Sequence, residues 1–119
     1  MDEISLTLPD FWSWLLGHSN CILRVGTPEA TIFDDESLHW MFAYEEPETL
    51  IIQAFRGKQL AGEVLIAPEQ INSVRGVEGE IDGEYVFELI TDGEPEPFAA
   101  VYVVMVHGLD EDETTAAVH

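Results

Sequence analysis

The chain predicts an α+β fold: a mainly antiparallel β meander of about seven or eight strands, curved or partly closed as a barrel, with one short N-terminal helix packed on it. Three observations predict it. An apolar stripe at helical spacing occurs only near the N-terminus. Beyond it, short apolar runs alternate with turn signals at close intervals. One of these runs, 97–107, is apolar on both faces, the pattern of a strand in the middle of a sheet.

The helix is expected from Thr7 to Gly17. Thr7 can cap it, Pro9 fits its first turn, and Asp10 complements the positive end of the helix dipole. Phe11, Trp12, Leu15 and Leu16 form one stripe, and Gly17 is a stop signal. Trp14 falls off the stripe and calls for a second contact surface. So short a helix holds only by docking on something.

Strands are expected at 20–25, 30–33, 38–44, 49–55, 60–66, 71–77, 84–91 and 97–107. The cuts between them carry turn chemistry: Gly26-Thr27-Pro28, Asp34-Asp35-Glu36, Glu45-Glu46-Pro47-Glu48, Arg56-Gly57-Lys58, Asp82-Gly83 and Asp92-Gly93. The two Asp-Gly pairs are the strongest hairpin signals. Alternation is plain in 38–44, where Leu38, Trp40, Phe42 and Tyr44 share a face. In 84–91, Tyr85, Phe87 and Leu89 share one, with Glu88 opposite. The helix is the expected cover for one face of strand 97–107.

Charge limits the partners. Asp and Glu number 24 against 4 Lys and Arg in 119 residues, a formal net charge of −20. Nucleic acid and anionic membranes are bound through Lys and Arg, and Arg24, Arg56, Lys58 and Arg75 are scattered. Neither is an expected partner. An acidic surface instead steers basic proteins into contact, an advantage that salt removes. The same acidity also serves solubility or suits a salt-rich cytosol. Scarce lysine fits the latter, whereas the excess of glutamate over aspartate does not.

The composition, 46% hydrophobic, supports one core, expected over 1–109, with 110–119 an acidic, frayed tail. Met1-Asp2-Glu3 has the wrong sign for a secretory signal, and the longest apolar run, Phe98 to Val106, is too short for a membrane helix. A single cysteine, Cys21, excludes an internal disulfide framework. A cytoplasmic protein is the expectation.

If strands pair in chain order, alternate loops fall at opposite ends of the sheet. One end then gathers Glu29, Glu45, Glu46, Glu48, Glu69, Asp92, Glu94 and Glu96, with no basic residue. The other mixes Asp34, Asp35, Glu36 and the acids of 78–84 with Arg56 and Lys58. The uniformly acidic end is the candidate partner-binding surface. Acidic loops also guard sheet edges against aggregation, which needs no partner.

Catalytic and metal signals are thin. Glu78, Glu80, Asp82 and Gly83 match the first half of a calcium loop, but its twelfth position is Leu89 rather than Glu. His18 and Cys21 have metal-ligand spacing, yet zinc needs two more ligands and His39, His107 and His119 are dispersed. No metal or cofactor is expected. The serines lack a Gly-x-Ser-x-Gly context, and Gly57-Lys58 lacks the first glycine of a phosphate loop. Trp40, Phe42 and Tyr44, with the mid-strand carboxylates Glu63 and Glu88, are the candidates for a ligand pocket inside a curved sheet. The plainer expectation is core for the aromatics and, for each carboxylate, an outward face or a pairing with Arg24, Arg56 or Arg75.

Three functions follow. The first is a non-enzymatic interaction protein that presents acidic loops to a basic partner, as an inhibitor, an immunity-type protein or a nucleic-acid mimic. The second is a structural or accessory domain whose acidity is environmental. The third is a small-ligand-binding or metal-assisted enzyme using the sheet's cavity.

Overall fold

The computed structural model describes residues 4–46, 48–81, 83–93 and 96–108. Asp82, Glu94 and the expected tail at 110–119 lie outside the described residues.

The helix α1 spans Leu8–Leu16. Thr7 caps it as the composition predicts, its Oγ1 accepting the Asp10 N–H at 3.2 Å. Gly17 ends it without a left-handed residue, its N–H donating to the Trp14 carbonyl at 3.1 Å. A single 3-10 turn, Ser19–Cys21, then leads into the sheet.

Among the described residues nine strands follow one another as β1 (Ile4–Leu6), β2 (Ile22–Gly26), β3 (Thr31–Phe33), β4 (Leu38–Glu45), β5 (Thr49–Arg56), β6 (Gln59–Ile66), β7 (Ile71–Glu78), β8 (Tyr85–Thr91) and β9 (Phe98–Met105). Eight coincide with the expected runs. The ninth, β1, is three residues long, too short to show an alternating pattern.

All pairings are antiparallel, but the single curved meander or barrel is replaced by two open sheets. The larger has the order β1, β7, β8, β9, β2, β3; the smaller has β4, β5, β6. Chain order survives within β4–β6 and β7–β9. It breaks where β9 pairs back to β2 and β7 receives β1. The turn at 34–37 carries the chain out of the large sheet: the Asp35 carboxylate accepts the Ser37 N–H at 2.6 Å, and the Asp35 carbonyl accepts the Leu38 N–H at 2.9 Å. The 3-10 turn Pro68–Gln70 carries it back.

Two sheets form because both have an apolar face to bury. Ile52, Val64 and Ile66 of the small sheet share one core with Val74, Phe87, Leu89, Val101 and Val103 of the large one. The helix wedges against both. Phe11 is fully buried on Phe87, with ring centroids 4.8 Å apart, while Trp12 meets Phe42 of β4 edge-on at 5.5 Å. Trp14 finds the second surface that its off-stripe position requires, 5.2 Å from the Phe87 ring.

β9 lies inside the large sheet, as its apolarity predicts. Its two faces are covered differently. Val101, Val103 and Met105 enter the core. On the outward face, Tyr102 shares a hydroxyl hydrogen bond with Thr31, and Val104 lies in register between Arg24 and Val86. Between β5 and β6, Gly57 takes φ 64°, a left-handed conformation that glycine reaches without a Cβ penalty.

Candidate functional site

The strand registers decide where the carboxylates of the connections fall. Pairing of Glu45 with Thr49 closes the turn that carries Glu46 and Glu48, and Leu50 beside Ile66 sets this turn next to the 67–70 connection with Glu69. Ile71 opposite Thr91 sets that connection next to the segment beginning at Asp92. The 27–30 turn of Glu29 belongs to the same end, because Thr27, Gln70 and Asp92 line one shallow cleft. Glu29, Glu45, Glu46, Glu48, Glu69, Asp92 and Glu96 are all exposed. Antiparallel pairing keeps alternate connections at one end even though the strand order is not sequential. Asp92 accepts a hydrogen bond from Asn72 Nδ2 at 2.6 Å.

Beside these connections lies a cleft of about 650 Å³, between α1 and the first residues of β5 and β7. Trp12, Leu50 and Ile71 line it and reach the core behind it. Leu16 and Tyr44 stand on it, 49% and 56% exposed, a large apolar surface for two neighbouring side chains. Glu48 and Asn72 supply polar groups in the lining. A volume of this size suits one or two side chains or a small ligand.

The five pocket candidates do not converge. Tyr44 lines the cleft, whereas Phe42 packs on Trp12 and Trp40 donates from Nε1 to Asp34 at 3.0 Å. Glu63 lies on the small sheet, where it accepts from Gln53 Nε2 at 3.2 Å. Glu88 lies on the large sheet and is gripped by Arg75, whose Nε donates to it at 2.9 Å. The strand neighbours of both carboxylates alternate into the core, so Glu63 and Glu88 face outward from different sheets.

At the opposite end, the residues of the calcium-like segment close a hairpin. Gly79 N–H donates to the Glu84 carbonyl at 2.8 Å, and Glu84 N–H to the Ile81 carbonyl at 3.1 Å. The Glu84 carboxylate turns to Arg24, whose Nη1 and Nη2 donate to its two oxygens at 3.1 and 3.0 Å. That hydrogen-bonded guanidinium holds the Glu84 carboxyl below its ordinary value and raises the Arg24 value in return. Burial, with a smaller effect from Glu78, pushes the Tyr85 hydroxyl up.

One constellation escapes sequence reasoning. Pairing of β2 with β9 brings His107, 86 residues away, to 3.2 Å from the Cys21 sulfur through Nε2. His107 Nδ1 lies 3.0 Å from the Gly108 carbonyl oxygen. Trp14 and His18 wall the pair: His18 stacks on Trp14 at 4.3 Å, and the two imidazoles meet edge-on at 5.6 Å. The spacing of His18 and Cys21 is visible in the sequence; the arrival of His107 depends on a pairing that local pattern does not encode. Among the described residues, no group of three or more His, Cys, Asp and Glu is arranged to hold a metal ion. Nor, among them, is any helix long and apolar enough to cross a membrane.

No family model, curated protein or solved structure matches this chain.

Proposed function

We propose that this chain is a non-enzymatic binding protein whose acidic end receives a basic segment of a partner protein, with one apolar side chain of that segment seated in the α1 cleft. The observation that carries the reading is the juxtaposition of an apolar cleft and carboxylate-bearing connections, with Glu48 belonging to both. The two features divide the work. The carboxylates Glu29, Glu45, Glu46, Glu48, Glu69, Asp92 and Glu96 attract a cationic segment and set its rate of encounter. The cleft supplies the desolvated anchor point that charge alone lacks. A net charge of −20 makes an acidic or nucleic-acid partner unfavourable at this surface.

The test is selection from an unbiased displayed-peptide library at low salt, followed by titration of the enriched peptides. Enriched sequences should combine Lys or Arg with a Leu, Phe or Trp anchor. Their affinity should fall at least about tenfold in Glu45→Gln/Glu46→Gln/Glu48→Gln and, separately, in Leu16→Ser. Enrichment of peptides lacking basic residues, or affinity unchanged in both variants, would sink the reading. No enrichment at all, with marked stabilisation by molar salt, would make the acidity environmental.

A further inference from the structure

The Cys21–His107 pair lies at the opposite end of the large sheet from the acidic connections, and the proposed binding function does not use it. We propose that Cys21 is a nucleophilic thiol, with His107 as its base, that is oxidised by small uncharged hydroperoxides.

The hydrogen bonds assign the roles. Gly108 presents a carbonyl oxygen, which can only accept, so His107 carries its proton on Nδ1 and donates it there at 3.0 Å. Nε2 then bears the lone pair and accepts from the Cys21 thiol at 3.2 Å. Nucleophile, base and a third group that fixes the base's tautomer are thus in place, the arrangement that activates a weak nucleophile. The backbone fixes the two residues as well: Val106 N–H donates to the Cys21 carbonyl at 2.9 Å, so the 3-10 turn cannot drift from the end of β9. The Trp14 ring stands perpendicular to the His107 imidazole at 6.0 Å and limits its swing. Both Cys21 and His107 are partly exposed.

The step balances with one named co-reactant. Nε2 takes the thiol proton as the sulfur attacks one peroxide oxygen. An S–O bond forms and the O–O bond breaks. The departing hydroxide, or the alkoxide of an alkyl hydroperoxide, collects the proton from Nε2 and leaves as water or the alcohol; the sulfur, oxidised by two electrons, becomes a sulfenic acid. The surrounding charge selects the oxidant. Glu78 and Glu84 line the small cleft that His107 borders, and a chain of net charge −20 repels anionic disulfides or anionic peroxides more than it repels hydrogen peroxide.

The experiment is the rate of sulfenic acid formation with hydrogen peroxide at pH 7, trapped with a dimedone-type reagent and read by mass spectrometry. His107→Asn keeps an amide donor near the Nδ1 position and removes Nε2. The wild-type rate should exceed that of His107→Asn by at least about tenfold, a threshold set below the roughly 10²–10⁴-fold that a positioned base supplies. A difference within twofold overturns the proposal. The wild-type chain offers a second comparison, between its native state and the urea-unfolded state at the same pH. The native thiol should react faster; an equal or slower native rate overturns the proposal even if the variant fails to fold.

Discussion

Arg24 and Glu84, 60 residues apart in sequence, meet as a fork of two parallel hydrogen bonds that ties the turn before β8 onto β2. Such bidentate pairs are geometrically specific as well as attractive. This one bridges strands that have β9 between them, so its loss loosens the turn and uncovers the outward side of Val104, which is 2% exposed. Glu84→Gln should lower the melting temperature at pH 7. The sign with pH follows from the depressed carboxyl. Its contribution is complete above the ordinary value of 4.5 and disappears as pH falls through the lower folded-state value. Wild type and Glu84→Gln should therefore converge in acid, as melts from pH 7 to pH 3 would reveal; a gap that widens in acid would contradict the assignment.

Helix docking predicts unequal responses from one helix. Phe11 is fully buried against Phe87, and Phe11→Ala should cost about 3–5 kcal/mol by urea unfolding. Leu16, five residues on and half exposed, should change by about 0.5 kcal/mol or less as Leu16→Ala. Equal losses would mean that the helix docks by a different face.

Salt should stabilise the fold. Exposed carboxylates crowd one end of the molecule, and raising salt from about 20 to 500 mM shortens the screening length from about 20 to 4 Å. A melting temperature that rises over this range is expected. One that falls would show that ion pairs such as Arg75–Glu88 outweigh the repulsion.

Much of this architecture is legible locally. The cap at Thr7, the break at Gly17 and eight strand positions follow from side-chain chemistry within a few residues of each feature. The division into two sheets does not. Asp34-Asp35-Glu36 reads as a turn whether the chain doubles back into the same sheet or crosses to another, and it crosses. The pairing of β9 with β2 is a choice among apolar strands of similar pattern, settled by the shared core. For the same reason the carboxylate positions follow from loop parity, whereas the cleft needs α1, β5 and β7 to meet. For Glu63 and Glu88 the outward face or arginine partner expected of mid-strand carboxylates is legible locally, but which arginine meets Glu88 depends on the register of β7 with β8, and it is Arg75.

The two sheets also differ in how far apart along the chain their parts lie. The small sheet is one continuous stretch, Leu38 to Ile66, joined by two tight turns. The large sheet needs residues 4–6 beside β7 and residues 22–26 beside β9, closures that span most of the molecule. Closing long loops delays contact formation, so the small sheet can zip early while the large one waits for both chain ends. Two of the three tryptophans separate these events: Trp40 sits on β4, and Trp14 contacts the large sheet, while Trp12 joins the helix to Phe42 of the small one. In a refolding trace, Trp40 emission should settle ahead of Trp14 emission. A chain released gradually from its N-terminus would hold its first strand and helix without a complete surface to dock on until β9 emerges.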